Sequence, residues 1–140
     1  MSTKQNKEIE RRYIEEVYNK GNVALVDEFI TRNYVYHGTG GVEIKGIEGI
    51  KQFATGLRTA FPDNVFTVEG MVAEGNIVMY RYTGRGTFTG EFMGIAPTGK
   101  KVTWAGFAHD CFEGSKIAES WEIIDMLDFF NQLGVEPPKS

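Results

Sequence analysis

The feature that most constrains this chain is a change of period at Pro62. Before it, apolar residues recur at helical spacing; after it, long stretches alternate as half-buried strands do. Ile9, Tyr13, Ile14, Val17 and Tyr18 predict a first helix over 6–20, with Gly21 as its stop. Asn22 can cap a short second helix running to Ile30, and Ile50, Phe53, Ala54 and Leu57 mark a third over Ile47 to Phe61. Asn33 to His37 reads as a brief strand between the second and third helices. Four extended segments follow Pro62, at Val65–Ala73, Ile77–Phe88, Val102–Phe112 and Lys116–Met126, and a short helix over Leu127–Leu133 precedes Gly134 and a loose Pro137-Pro138 tail. Helices first and strands afterwards is the order of an α+β layer fold, with antiparallel neighbours in the sheet. Such a sheet, strongly curved around the N-terminal helices, encloses one internal pocket in a cone-shaped α+β barrel.

A chain of 140 residues is expected to form one domain over 1–140. Its net charge of -4, with basic residues scattered among acidic ones, gives no footprint for nucleic acid. The polar start and the lack of any apolar run near the roughly 18 residues of a membrane span predict a cytoplasmic protein with no membrane partner. Cys111 is the only cysteine, so neither an internal disulfide nor a thiolate cluster can form, and its strand context suggests a packed thiol. Two histidines far apart, with no ligand-like spacing, predict no metal site. Gly84-Arg85-Gly86 lies inside a strand with no helix behind it, which excludes a phosphate cradle.

Several segments carry a resemblance. Tyr18-Asn19-Lys20-Gly21-Asn22, Asn33-Tyr34-Val35-Tyr36-His37 and Gly46 to Phe53, then Thr87 to Lys100 and Gly114 to Asp125, are similar to the SnoaL-like polyketide cyclases and the wider set of predicted ester cyclases. That resemblance covers nearly the whole chain and implies the nuclear-transport-factor-type cone fold. It also implies cofactor-free, aldol-type ring closure on an activated carbonyl or polyketide-like ester, with an aspartate near the end of the last strand as acid and base. The matching aspartate is Asp125, and the supporting histidine on the neighbouring strand is His109. Many relatives resemble one another in placing histidine where this chain has Phe88, which implies a more apolar ligand or an altered reaction.

Each candidate has a plainer reading beside it. Asp125 directly precedes Met126-Leu127-Asp128, where a carboxylate can cap a helix. A two-residue turn at Gly114-Ser115 would set Trp104 opposite Asp125, Ala108 opposite Trp121 and Asp110 opposite Glu119, with His109 on the other face beside Phe107, Cys111, Ser120 and Ile124. A one-residue bulge would reverse that assignment, so His109 enters the pocket through a bulge or Ala108 stands there instead. His37 precedes a glycine-rich loop and reads as a pocket-mouth residue or as a partly exposed structural histidine. Phe92, Met93, Trp104 and Trp121 are candidate walls for a small apolar or aromatic carbonyl compound, or else core residues.

The leading expectation is therefore a cyclase-like lyase or isomerase that needs no cofactor. The alternative is a non-catalytic ligand-binding or interaction domain, motivated by the apolar Phe88 and Ala108. Epoxide hydrolysis on the same fold ranks last, because no Asp-Arg-Asp arrangement is evident. A homodimer is expected through the sheet's outer face, with Ala105, Phe107, His109, Cys111, Ile124 and Met126 on it.

Overall fold

The computed structural model describes residues 2–135; the Pro137-Pro138 tail lies outside them. Helix α1 (Thr3–Tyr13) opens with a capping box in which Ser2 Oγ accepts from Gln5 N and the Gln5 side chain accepts from Ser2 N. It then widens into a π-helical stretch, Ile14–Asn19, closed by Lys20 N donating to Glu15 O at 2.9 Å. The terminal carbonyls of that stretch are bound from outside it. Arg58 Nη1 donates to Asn19 O at 2.9 Å and Asn64 Nδ2 to Tyr18 O at 2.9 Å. Asn19 in turn pairs with both backbone groups of Phe66, fixing the helix end against the sheet. The expected second helix is shorter than its pattern: a 3-10 turn leads into α2 (Val26–Phe29), and Ile30 already begins β1 (Ile30–His37).

A short strand that the sequence did not signal, β2 (Glu43–Lys45), pairs with β1 and leads into α3 (Gly46–Ala60). The long strands β3 (Val65–Glu74), β4 (Ile77–Thr87), β5 (Lys101–Glu113) and β6 (Lys116–Ile124) follow as expected, and α4 (Met126–Leu133) ends at Gly134 in the left-handed region. All strands join one curved, unclosed sheet in the order β2-β1-β6-β5-β4-β3. The expectation of a wholly antiparallel sheet is corrected at one seam, because β1 runs parallel to β6. The long crossover that a parallel pair requires is here the whole run from α3 to β5.

Two glycines position the cavity walls. Gly84 lies opposite Trp104, and a Cβ on it would stand 2.3 Å from the indole; Gly106 lies opposite Tyr82, where a Cβ would stand 2.7 Å from the hydroxyl. Each ring lies over a bare backbone, which is why glycine interrupts otherwise branched strands. The β4–β5 connection docks on the end of α3 through Thr89 N and Gly90 N, both donating to Ala60 O, and so carries Phe92 and Met93 to the mouth of the cone.

Candidate functional site

The last hairpin decides which side chains face inward. Glu113 pairs with Lys116 across the Gly114-Ser115 turn, as expected, but Ala118 is left without a partner and the register slips by one residue from there on. Asp110 therefore lies opposite Ser120, Ala108 opposite Glu122 and His109 opposite Trp121. The expected pairings of Trp104 with Asp125, Ala108 with Trp121 and Asp110 with Glu119 are corrected accordingly. The bulge is on β6, so it exchanges the faces of β6 residues and leaves β5 alone: Glu122, Ser120 and Ile124 turn inward, and His109 stays outside.

The enclosed cavity has a volume of about 320 Å³. All six tyrosines of the chain, Tyr13, Tyr18, Tyr34, Tyr36, Tyr80 and Tyr82, line it, together with Phe92, Met93 and Trp104 from the expected set. Two carboxyls, Asp110 and Glu122, and the Thr39 and Ser120 hydroxyls provide its other polar side chains. Asp125, His109, His37 and Trp121 do not line it. Asp125 caps α4, with Oδ1 accepting from Asp128 N at 3.1 Å. His37, Trp121 and His109 form an outer-face cluster: His37 stacks on Trp121, His109 meets it edge-on, and His37 Nε2 lies 2.7 Å from Glu119 Oε2. Phe88 is buried behind the cavity wall, stacked on Phe61.

Glu122 is the best-supported polar group. Tyr82 Oη donates to its Oε2 at 2.5 Å and Tyr36 Oη donates to its Oε1, so both oxygens are held. Thr39 reinforces the strand on either side of that carboxyl, accepting from Ile124 N at 2.9 Å and reaching Glu122 O. Burial pushes the Glu122 carboxyl above the ordinary carboxylate range; the two phenol bonds oppose that push, and the charge of Asp110 adds to it. Asp110 is also raised, chiefly by burial, with the neighbouring Glu10 and Ser120 side chains acting in the opposite direction.

Behind the cavity wall, Glu10 is a buried carboxyl that the sequence reading missed. It is 0% exposed, its carboxyl lies against that of Asp110, and neither of its oxygens meets a hydrogen-bond donor. Asn6, Glu10 and Tyr13 recur at helical spacing on the buried face of α1. The spacing was available in the sequence, but Asn and Glu on a helix ordinarily mark its wet face. Among the described residues no three His, Cys, Asp or Glu side chains converge to hold a metal ion.

A curved sheet closed over helices around an apolar, phenol-lined cavity with a few inward carboxyls defines a cone-fold protein built to enclose a small molecule. The chain belongs to the SnoaL-like polyketide cyclase family, whose model matches residues 8–133. A candidate polyketide cyclase from Acidithiobacillus ferrooxidans is 31% identical, with a TM-score of 0.83 over 96% of this chain and 98% of that one. IdmH, a candidate polyketide cyclase from Streptomyces antibioticus, is 28% identical, with a TM-score of 0.79 over 94% and 99%. A candidate SnoaL-like polyketide cyclase from Jannaschia sp. shares the fold at a TM-score of 0.88 and 23% identity, over 96% and 95%. No curated protein matches the chain.

Proposed function

We propose that the chain closes a ring in a small, largely apolar compound with an acidic C–H beside two carbonyls, and that Glu122 is the base. The observation that carries this reading is the inward carboxyl of Glu122, held by Tyr36 and Tyr82 in a largely apolar cavity. Burial raises the proton affinity of Glu122 towards working pH, which is what a general base needs, while the two phenols fix its orientation. The acidic C–H gives its proton to Glu122 and its electrons to an enolate. The enolate carbon then attacks a second carbonyl of the same molecule, forming a C–C bond as the carbonyl π electrons pass to oxygen; the resulting alkoxide takes up one proton, and the proton held by Glu122 makes up for it over the turnover. No atom is gained or lost. As Glu122 takes the proton it ceases to be an anion, and the Tyr36 and Tyr82 hydroxyls are freed to donate to the enolate oxygens.

Phe92, Met93 and Trp104 provide flat and polarizable contacts for an aromatic or polycyclic ligand. Asp125 serves in this reading as a helix cap, and His37, His109 and Trp121 as outer-face residues. The functional chain is, in the same reading, a homodimer paired through that outer face.

The test is deuterium exchange at the acidic carbon of ethyl benzoylacetate in D2O, followed by NMR. The wild type is expected to accelerate it, and Glu122→Gln to lose roughly 100- to 10,000-fold of that acceleration. A probe that binds the wild type without exchanging faster than in buffer identifies a non-catalytic binding domain. Exchange undiminished in Glu122→Gln rejects Glu122 as the base.

A further inference from the structure

The α1 face beneath the cavity contains a buried polar group that the proposed chemistry does not use. Glu10 is fully enclosed, and neither carboxyl oxygen meets a donor. One turn to either side, Asn6 Oδ1 and Tyr13 Oη are likewise buried without a partner. The group that Glu10 meets is Asp110, itself 3% exposed and part of the cavity wall. Two ionised carboxylates in that position would both be acceptors and would repel one another in a medium too dry to screen them. A single proton between them turns the repulsion into a hydrogen bond and gives each carboxyl a partner.

We propose that Glu10 and Asp110 share one proton, and that Glu10 is a positioning residue whose role is to keep that proton available to Asp110 at the cavity wall. Asp110 then presents a donor to the carbonyl that the enolate attacks. As the C–C bond forms, the carbonyl π electrons pass to oxygen, which takes the proton from Asp110. The proton gained by Glu122 afterwards restores the pair, so charge and atoms balance over one turnover. The catalytic half of this assignment rests on the ring-closing reading above; the shared proton does not.

The groups facing the pair are Ser120 and Glu122 from β6, Tyr80 from β4, Tyr34 from β1, Tyr13 from α1 and Tyr18 from the π-helical stretch, while His109, next to Asp110 on β5, lies on the opposite face. Burial, followed by the negative charge of Asp110, raises Glu10 well above the ordinary carboxylate range, in keeping with a retained proton. The tyrosines are raised too and stay neutral, so they do not compete as anions.

Infrared spectroscopy of the whole protein at neutral pH, which needs no substrate, tests the pair. The wild type is expected to show the C=O stretch of a buried protonated carboxyl, lost in Glu10→Gln and in Asp110→Asn but present in Glu122→Gln. If Glu10→Gln does not fold, Asp110→Asn provides the same comparison. Absence of the band in the wild type, or its persistence in Glu10→Gln or Asp110→Asn, overturns the shared proton. Failure of the benzoylacetate exchange with the band behaving as expected overturns the ring-closing reading and leaves the pair intact.

Discussion

At the scale of the residue, the clearest lesson is the inversion of polarity on α1. A helix face of Asn6, Glu10, Tyr13 and Val17 is buried here; the apolar pattern of the sequence marked Tyr13 and Val17, together with Ile9, Ile14 and Tyr18, but passed over Asn6 and Glu10. Glu10 is retained in the core because it has Asp110 to meet, and no one-dimensional pattern contains that fact. It has a measurable consequence for stability. The pair binds its proton more tightly in the folded chain than in the unfolded one, so above the ordinary carboxylate range the native state holds more protons. Stability therefore falls as pH rises through that window, until the native pair itself ionises. Glu10→Gln replaces the proton by a permanent amide donor and is expected to flatten that decline. Urea denaturation of both proteins across the window measures it, and parallel slopes would remove the pair as their source. The same scale explains the six tyrosines: each phenol brings an apolar ring for the wall and one hydroxyl for the few acceptors inside.

At the scale of the element, the sequence showed the order of helices and strands because period survives without knowledge of neighbours, whereas register does not. The turn at Gly114-Ser115 was legible from its residues, yet one unpaired Ala118 two residues beyond Lys116 exchanges every later β6 side chain between faces. Nothing about alanine announces a bulge. The consequence is that the motif Trp121-Glu122-Ile123-Ile124-Asp125 contains both candidate carboxyls, and the bulge selects Glu122 for the cavity while Asp125 begins α4. These roles separate experimentally. Asp125→Ala removes the acceptor for Asp128 N and is expected to cost about 0.5–2 kcal/mol of stability. Asp125→Asn, which can still cap, is expected to keep both stability and benzoylacetate exchange near wild type. A large loss of exchange in Asp125→Asn, with folding intact, would restore the aspartate as the proton-transfer group. The parallel β1–β6 seam and the short β2 were illegible for a related reason. Both depend on β1 returning to the far edge of a hairpin that lies some eighty residues further along the chain, as the Tyr36–Ser120 pairing shows.

At the scale of the whole molecule, the curved sheet has helices on its concave side only, so its convex side needs another explanation. A row of side chains crosses five strands there in register: Val72 pairs with Met79, Met79 with His109, His109 with Trp121 and Trp121 with His37. Beside it Phe107 faces Ile123, and these two are 60% and 70% exposed. The face differs from the expected one by the same β6 slip: Ile124 and Met126 line the cavity, and Ile123 and Trp121 take their place outside. A contiguous aromatic and aliphatic surface of this kind is costly to leave in water, and pairing like faces about a two-fold axis covers both copies at once. At the centre of the row His109 meets Trp121 edge-on, and His37, bound to Glu119, stacks on the same indole. Phe107→Glu places a charge at the middle of that surface without touching the cavity. It is expected to convert a dimer to monomer, or to an insoluble chain, by light scattering at micromolar concentration, with benzoylacetate exchange per chain preserved in any soluble monomer. A wild type that scatters as a monomer at that concentration would show that the convex face is tolerated in water as it stands, and would remove the dimer from the proposed function while leaving the cavity chemistry untouched.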